Sequence, residues 1–155
     1  MIVYAVLFAG VLILDQLTKL WAESALRNGS LPFIPNVLDF TYVENRGIAF
    51  GMFQNMHYII IPIMVVVMLV CAYLAIKAYK KNQKLAVVAF VLVLSGALGN
   101  LIDKIRLGYV IDFIHTLFMD FPVFNFADTI ICIGAGLLSV HILFFDKEEK
   151  NDNHK

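Results

Sequence analysis

The sequence predicts an all-α integral membrane protein with four transmembrane helices, cytoplasmic termini and a small extracytoplasmic β-sheet on the membrane surface. Three observations support this prediction. Hydrophobic residues make up 61% of the 155-residue chain, against about 45–50% in soluble domains. They gather in four runs, each close to the roughly 20 residues that cross a bilayer core. The lysines are concentrated between the second and third runs and in the C-terminal tail.

The four runs are expected to form one membrane domain covering residues 1–155, because this length suits a single domain. Backbone polar groups in hydrocarbon must be satisfied within the segment, so each run is expected to be a helix. The start lacks the basic region and small-residue cleavage site of a signal peptide, and the first run is therefore expected to be a retained span. The expected helices cover about 2–21, 58–76, 85–102 and 126–145.

Lysine placement predicts the orientation. Residues 77–84 carry four lysines and no acid, and the tail 146–155 carries three more. The positive-inside rule places both segments in the cytoplasm. The two longer loops, about 23–57 and 103–125, are then extracytoplasmic.

The first outer loop is expected to contribute the small sheet. Residues 37–43 alternate between apolar and other side chains, which predicts a strand. Residues 45–47 are typical of a turn, and residues 48–50 are a candidate return strand.

Polar residues within or beside membrane spans are energetically costly and indicate function. Asp15 and Lys19 share a face of the first helix. They form either an ion pair with a snorkelling lysine or part of a site, and the two interpretations are compatible. Asn100 lies within the third apolar run, where its amide needs partners. Asp103 and Lys104 follow it, and they either mark the end of the span or belong to the same site.

Two further acids, Asp112 and Asp128, are expected at the same outer depth. Asp112 interrupts the apolar stretch 109–114 and has either a catalytic role or a structural pairing with Arg106. Asp128 opens the fourth helix, where it either complements the helix dipole behind an Asn125 cap or takes part in catalysis. Neighbouring carboxylates in a low-dielectric site share a proton, so one activates water while the other polarises a carbonyl. The pair therefore predicts an aspartic protease.

Other chemistries find less support in the sequence. It contains no GxSxG, HExxH or phosphate-binding loop, and no basic stripe with interleaved aromatics that would bind nucleic acid. His57 and His115 do not form a helical ligand pair, and Cys71 and Cys132 lack disulfide or zinc spacing. No metal or cofactor is expected.

Two alternatives from other classes remain. A small transporter predicts acids at the membrane centre and repeated halves, whereas here the acids lie near the outer helix ends and no repeat is visible. A structural subunit of a larger complex would leave Asp112 and Asp128 without a common role.

The chain resembles the bacterial lipoprotein signal peptidase family, also called signal peptidase II. The resemblance covers nearly the whole chain and is carried by blocks in the family's order: Asp15–Lys19, Asn45–Phe50, Gly96–Asp103 with Val110–Ile114, and Phe124–Asp128. It implies that Asp112 and Asp128 form a metal-free catalytic dyad. It also implies an inner-membrane enzyme, with its site at the extracytoplasmic face, that cuts prolipoproteins before a diacylglyceryl-modified cysteine. The expected partners are this substrate and membrane lipids, and the chain is expected to be a monomer.

The resemblance also implies supporting residues around the dyad. These are Asp15, Lys19, Asn45, Gly47, Asn100, Asp103, Lys104 and Asn125, with Ala49 in the outer turn. One departure affects this assignment. The family usually has arginine where this chain has Lys104, and the two side chains are not equivalent at a bidentate contact. Arg106 is a candidate replacement, and residues 31–55 are expected to close over the substrate as a lid.

Overall fold

The computed structural model describes residues 1–47, 52–54 and 56–145. Its elements in chain order are α1 (Ile2–Leu26), β1 (Leu31–Ile34), β2 (Leu38–Asn45), α2 (His57–Lys80), α3 (Lys84–Leu107), β3 (Val110–Thr116) and α4 (Phe126–Phe144). All four helices are long and apolar enough to cross a membrane. The predicted class, four membrane helices with a small sheet, is confirmed. The return strand predicted at 48–50 lies outside the described residues.

Helices α1 and α3 continue past the ends that hydropathy predicts, to Leu26 and Leu107. Hydropathy shows where a chain leaves the lipid, whereas a helix continues until its backbone is turned. In α3 that turn occurs at Gly108, whose φ of 81° is left-handed, a conformation that glycine adopts without steric cost. The polar residues near these ends, including Asp103, therefore lie on helices and not in loops.

Helix α3 is the centre of the bundle. In its most apolar window 50% of the residues are buried, against 6% to 17% in the other helices. Glycines allow α4 to approach it closely. A Cβ added at Gly96 would lie 2.7 Å from the carbonyl oxygen of Ala127, and one at Gly134 would lie 2.8 Å from that of Ala89. Close backbone approach of this kind is how helices associate in lipid.

A tight turn joins α2 to α3 at the opposite end of the helices from the sheet. The N–H of Gln83 donates to the carbonyl of Ala78, and the N–H of Asn82 donates to that of Tyr79, both at 3.0 Å. With Asn82 at a φ of 59°, this is the Schellman arrangement that closes a helix. The lysine-rich segment is thus an ordered corner between two antiparallel helices.

The sheet has three antiparallel strands in the order β1, β2, β3. Strand β3 was not anticipated, because residues 109–114 do not alternate and are buried on both faces from Val110 to Phe113. An isolated bridge pairs Ile114 with Phe124. This bridge brings the residues just before α4 against β3, so that the chain segments carrying Asp112 and Asp128 become neighbours.

We predict that Gly134→Val destabilises the protein by about 1–3 kcal/mol, the usual cost of overpacking a closely packed interface. The new side chain would meet backbone atoms of Ala89 and Val93, which cannot rotate away. Thermal unfolding in detergent measures the effect. Gly136→Val is the control, because nothing lies within 4 Å of a Cβ placed there. Equal shifts for the two variants would contradict this account of the α3–α4 interface.

Candidate active site

The side chain of Asn125 links the two candidate catalytic acids. Its amide nitrogen Nδ2 donates to Oδ1 of Asp112 at 2.6 Å. Its Oδ1 accepts from the N–H of Asp128 at 2.9 Å, while its own N–H donates to Oδ2 of Asp128 at 3.1 Å. These last two bonds form a capping box at the start of α4. Asn125 therefore caps α4, as the sequence predicts, and at the same time connects Asp128 to Asp112.

Two more asparagines complete the hydrogen bonding of the carboxylates. Asn45, at the end of β2, donates to Oδ2 of Asp112 at 3.0 Å. Asn100, on α3, donates to Oδ1 of Asp128 at 2.8 Å. Every oxygen of the two acids thus accepts at least one N–H group. The side chain of Asp112 is 2% exposed, so these bonds form in a largely dry environment.

Lys19 lies beneath the pair and is 2% exposed. Its ammonium contacts carboxylate oxygens of Asp15 and Asp103, both at 3.0 Å, and donates to Oδ1 of Asn100 at 2.8 Å. These three contacts match the three protons of an ammonium group. Because Oδ1 of Asn100 accepts from Lys19, its Nδ2 is directed to Asp128.

The acids that hold Lys19 also hold the backbone beside each candidate catalytic residue. Oδ1 of Asp15 accepts from the N–H of Ala127 at 3.2 Å, immediately before Asp128. Oδ2 of Asp103 accepts from the N–H of Ile111 at 3.3 Å, immediately before Asp112. One buried ion cluster therefore positions both chain segments.

Gln16 joins this cluster and was not anticipated from the sequence. Its amide donates to Asp15 at 3.1 Å and to Asp103 at 3.3 Å. The only sequence signal was its place beside Asp15 within an apolar helix. Since a polar amide at that depth needs partners, the same argument that singled out Asn100 applies to Gln16.

Lys104 has different partners from those that its position suggests. It donates to the carbonyl oxygens of Asn45 at 3.0 Å and Gly47 at 2.6 Å, and not to Asp103, which contacts Lys19. The N–H of Gly47 donates in turn to Oδ1 of Asn45 at 3.1 Å. Lys104 therefore fixes the turn after β2 and, through it, the amide that reaches Asp112. Ala49 lies outside the described residues.

The structural alternative for Asp112, an ion pair with Arg106, is wrong for the described part of the chain. Arg106 is exposed on α3, and the hydrogen-bond partners of Asp112 are Asn45 and Asn125. Lys104, at the position where the family usually has arginine, is buried instead.

A cavity of about 820 Å³ opens beside both acids. Asn45, Asn100 and Lys104 line its polar side together with the acids. Apolar side chains of α2 and α4, among them Ile60 and Ile131, line the rest. The contribution of α2 was not anticipated, because its apolar run 58–76 carries no charged residue to mark it. The cavity accommodates a ligand with one polar and one apolar part.

Burial raises the pKa of Asp112, and the nearby charge of Asp128 raises it further, from 3.8 to about 7. The hydrogen bonds from Asn45 and Asn125 favour the ionised form and partly oppose this rise. Burial and the neighbouring acid therefore let Asp112 keep its proton at a higher pH than an exposed aspartate does. A site of this kind supplies a proton donor and a proton acceptor at the same pH.

Among residues 1–47, 52–54 and 56–145, no group of three or more His, Cys, Asp or Glu side chains is arranged to hold a metal ion. His115 pairs instead with Asp39, 3.0 Å from its carboxylate across strands β2 and β3.

The fold and the site define a multi-pass membrane protein with a buried cluster of carboxylates beside a cavity at one end of its helices. A family model described as Signal peptidase (SPase) II matches residues 7–144. A lipoprotein signal peptidase of Clostridium tetani is 42% identical over 149 residues, covering 93% of this chain and 92% of the relative. One of Streptococcus thermophilus is 38% identical over 142 residues, covering 91% of this chain and 90% of the relative.

Solved structures agree. Two structures described as bacterial membrane enzymes, determined by the in meso method, superpose with TM-scores of 0.84 and 0.82 at 29% and 30% identity. The first match covers 100% of this chain and 93% of the other, and the second 94% and 95%. The chain belongs to the signal peptidase II family of lipoprotein-processing membrane proteases.

We predict that Lys19→Met costs about 3–5 kcal/mol of stability, because it leaves two buried carboxylates without a cation. Unfolding in detergent, followed by circular dichroism, measures the loss. The end of α1 supplies a matched control. Arg27 pairs with Glu23 at the same spacing but is 55% exposed, and Arg27→Met should cost less than about 1 kcal/mol. Similar costs for the two variants would refute the structural role of Lys19.

Proposed function

We propose that this protein is an aspartic endopeptidase that removes the signal peptide of diacylglyceryl-modified prolipoproteins before the lipidated cysteine. The observation that carries the proposal is the pair Asp112 and Asp128, bridged by Asn125 and facing a cavity of about 820 Å³. Membership of the lipoprotein signal peptidase family supports the substrate class.

In the proposed reaction the two acids share one proton and titrate as a pair. The ionised acid takes a proton from water as the water oxygen attacks the scissile carbonyl carbon. The protonated acid gives its proton to the carbonyl oxygen, which yields a neutral tetrahedral diol. Proton transfer to the leaving nitrogen then accompanies cleavage of the carbon–nitrogen bond. The pKa of Asp112, about 7, supports a shared proton at neutral pH.

We propose that three asparagines hold the two acids in the geometry that this proton transfer requires. Asn45, Asn100 and Asn125 each donate to a carboxylate, which favours an ionised acid inside a buried site. We assign Asp15, Lys19 and Asp103 the role of holding these donors and the flanking backbone in place. The geometry is then set before substrate binds, which is how an enzyme site avoids reorganisation during the reaction.

The form of the cavity supports a lipidated substrate. Its polar side lies at the acids, while Ile60 and Met64 of α2 and Ile131 of α4 line the apolar side. We propose that the acyl chains remain in lipid beside these helices while the peptide bond reaches the carboxylates. The enzyme then acts as a monomer in the inner membrane, with its site at the extracytoplasmic face. The lysine-rich corner at the other end of α2 and α3 supports this orientation.

We propose that part of residues 31–55 closes over the substrate as a lid. Residues 31–34 and 38–45 are strands of the sheet and are held by backbone pairing. Residues 48–51 and 55 lie outside the described residues, and just before them the carbonyl oxygen of Gly47 accepts a hydrogen bond from Lys104.

We predict that Asp112→Asn and Asp128→Asn each lower the turnover rate by about 10²–10⁴-fold, the usual contribution of a general acid or base. Cleavage of a lipidated prolipoprotein in detergent is the measurement, with unfolding temperature as the check on folding. Asp39→Asn is the control, because Asp39 pairs with His115 on the sheet. Full activity of either single variant would rule out the dyad, and activity that is lost on adding a chelator would indicate a metal instead.

A second prediction concerns pH. As pH rises through about 7, Asp112 loses its proton, both acids become ionised, and the rate should fall. Asn45→Ala removes a hydrogen bond that lowers the pKa of Asp112, so the fall should move to higher pH. The pH profile of kcat/KM reports this in the free enzyme. A shift to lower pH, or none, would contradict the assigned role of Asn45.

A further inference from the structure

Arg46 is the most exposed of the charged side chains that line the candidate active-site cavity, within the described part of the chain. Its side chain is 50% exposed, whereas Lys104 and Asp112, which also line the cavity, are 3% and 2% exposed. Arg46 follows Asn45, whose amide donates to Asp112, and precedes Gly47, whose carbonyl oxygen accepts from Lys104. It therefore lies at the entrance of the cavity, next in sequence to a residue that contacts a candidate catalytic acid.

Two contacts hold the guanidinium of Arg46 at this entrance. It lies over the ring of Tyr109, 5.4 Å from the ring centroid, and Tyr109 is itself 9% exposed. Its Nη2 donates to Oε2 of Glu44 at 2.7 Å. A guanidinium carries five N–H donors, and among the described residues Glu44 is the acceptor that Arg46 binds. The other donors are therefore available to a ligand in the cavity.

Arg27 has the same kinds of contact but a different location. It pairs with Glu23 and is 55% exposed, and its guanidinium lies 5.7 Å from the centroid of the Tyr42 ring. Arg27 does not line the cavity. Exposed pairs of this kind contribute little to stability, so stability alone does not account for an arginine at the cavity entrance. Arg27 is therefore a matched control for any role that depends on the location of Arg46.

The direction of the substrate across the site indicates which part of it reaches Arg46. Under the proposed function, on which this inference rests, the apolar signal peptide precedes the cysteine and the chain after the cysteine leaves towards water. That outgoing segment passes the exposed end of the cavity, where the side chain of Arg46 is more exposed than that of Glu44, 50% against 31%. We propose that Arg46 binds an acidic side chain within the first three residues after the lipidated cysteine. Arginine suits this role because its N–H groups match the geometry of a carboxylate.

The test uses diacylglyceryl-modified peptides that carry Asp, Asn or Lys at the first, second or third residue after the cysteine. Competition between peptides in detergent at low ionic strength gives the ratio of their kcat/KM values. At one of these positions the full chain should prefer Asp to Asn about 5-fold, the upper range for an exposed charge pair, and should cleave the Lys peptide more slowly than the Asn peptide.

Variants then assign this preference to one arginine. Arg46→Gln should bring the ratio of Asp to Asn to about one, mainly through KM, because the contact lies away from the bond that is cleaved. Arg46→Lys keeps the charge and should retain most of the preference. Arg27→Gln removes an equally exposed arginine and should leave the ratio as it is in the unmodified protein.

Four outcomes would overturn the inference. Equal cleavage of the Asp, Asn and Lys peptides by the unmodified protein would do so while leaving the proposed function intact, whereas cleavage of none of them would overturn both. An equal loss for all peptides in Arg46→Gln would assign Arg46 to the turn or to a lipid headgroup. Loss of the preference in Arg27→Gln as well would show attraction to general surface charge. The unfolding temperature of each variant excludes misfolding as a cause.

Discussion

The constraint on which the rest of this structure depends is the ammonium of Lys19, enclosed where water cannot stabilise its charge. A charge in that position persists only with opposite charges and hydrogen-bond acceptors around it. Asp15 and Asp103 supply the charges, and Asn100 supplies the acceptor. Because these residues lie on α1 and α3, the two helices must meet at this point. The polar cluster therefore determines how the helices pack, in a protein whose apolar surfaces alone would allow other arrangements.

The direction of the hydrogen bonds extends this constraint from Lys19 to the two candidate catalytic acids. A lysine can only donate, so Asn100 must accept on its oxygen and donate from its nitrogen. Its nitrogen then points to Asp128. Asn125 also donates to the oxygen of Asn100, at 3.2 Å, while its second bond reaches Asp112. Each amide orientation follows from that of its neighbour, so every carboxylate oxygen of the two candidate catalytic acids accepts from an N–H group.

Much of the fold could be predicted, because hydrophobic runs, and polar residues that interrupt them, can be recognised in the amino-acid sequence alone. Asp112 stood out as a carboxylate in an apolar stretch. The missing parts depend on contacts between distant segments. Strand β3 carries no alternation because both its faces are buried. The partners of Lys104 are backbone carbonyls, which cannot be predicted from a pattern of side chains. In the sequence, Ile60 on α2 cannot be distinguished from a lipid-facing residue, because its place in the cavity depends on the packing of the helices.

One contact at the centre of the bundle restricts how this chain can vary. The space that a Cβ would need at Gly99 is occupied by the carboxylate of Asp15. Any larger residue at position 99 must displace an acid that neutralises Lys19 and binds the backbone of Ala127. Substitutions at positions 15 and 99 will therefore have non-additive effects. In evolutionary terms the two positions are epistatic, because a larger residue can occupy position 99 only when position 15 no longer places a carboxylate there.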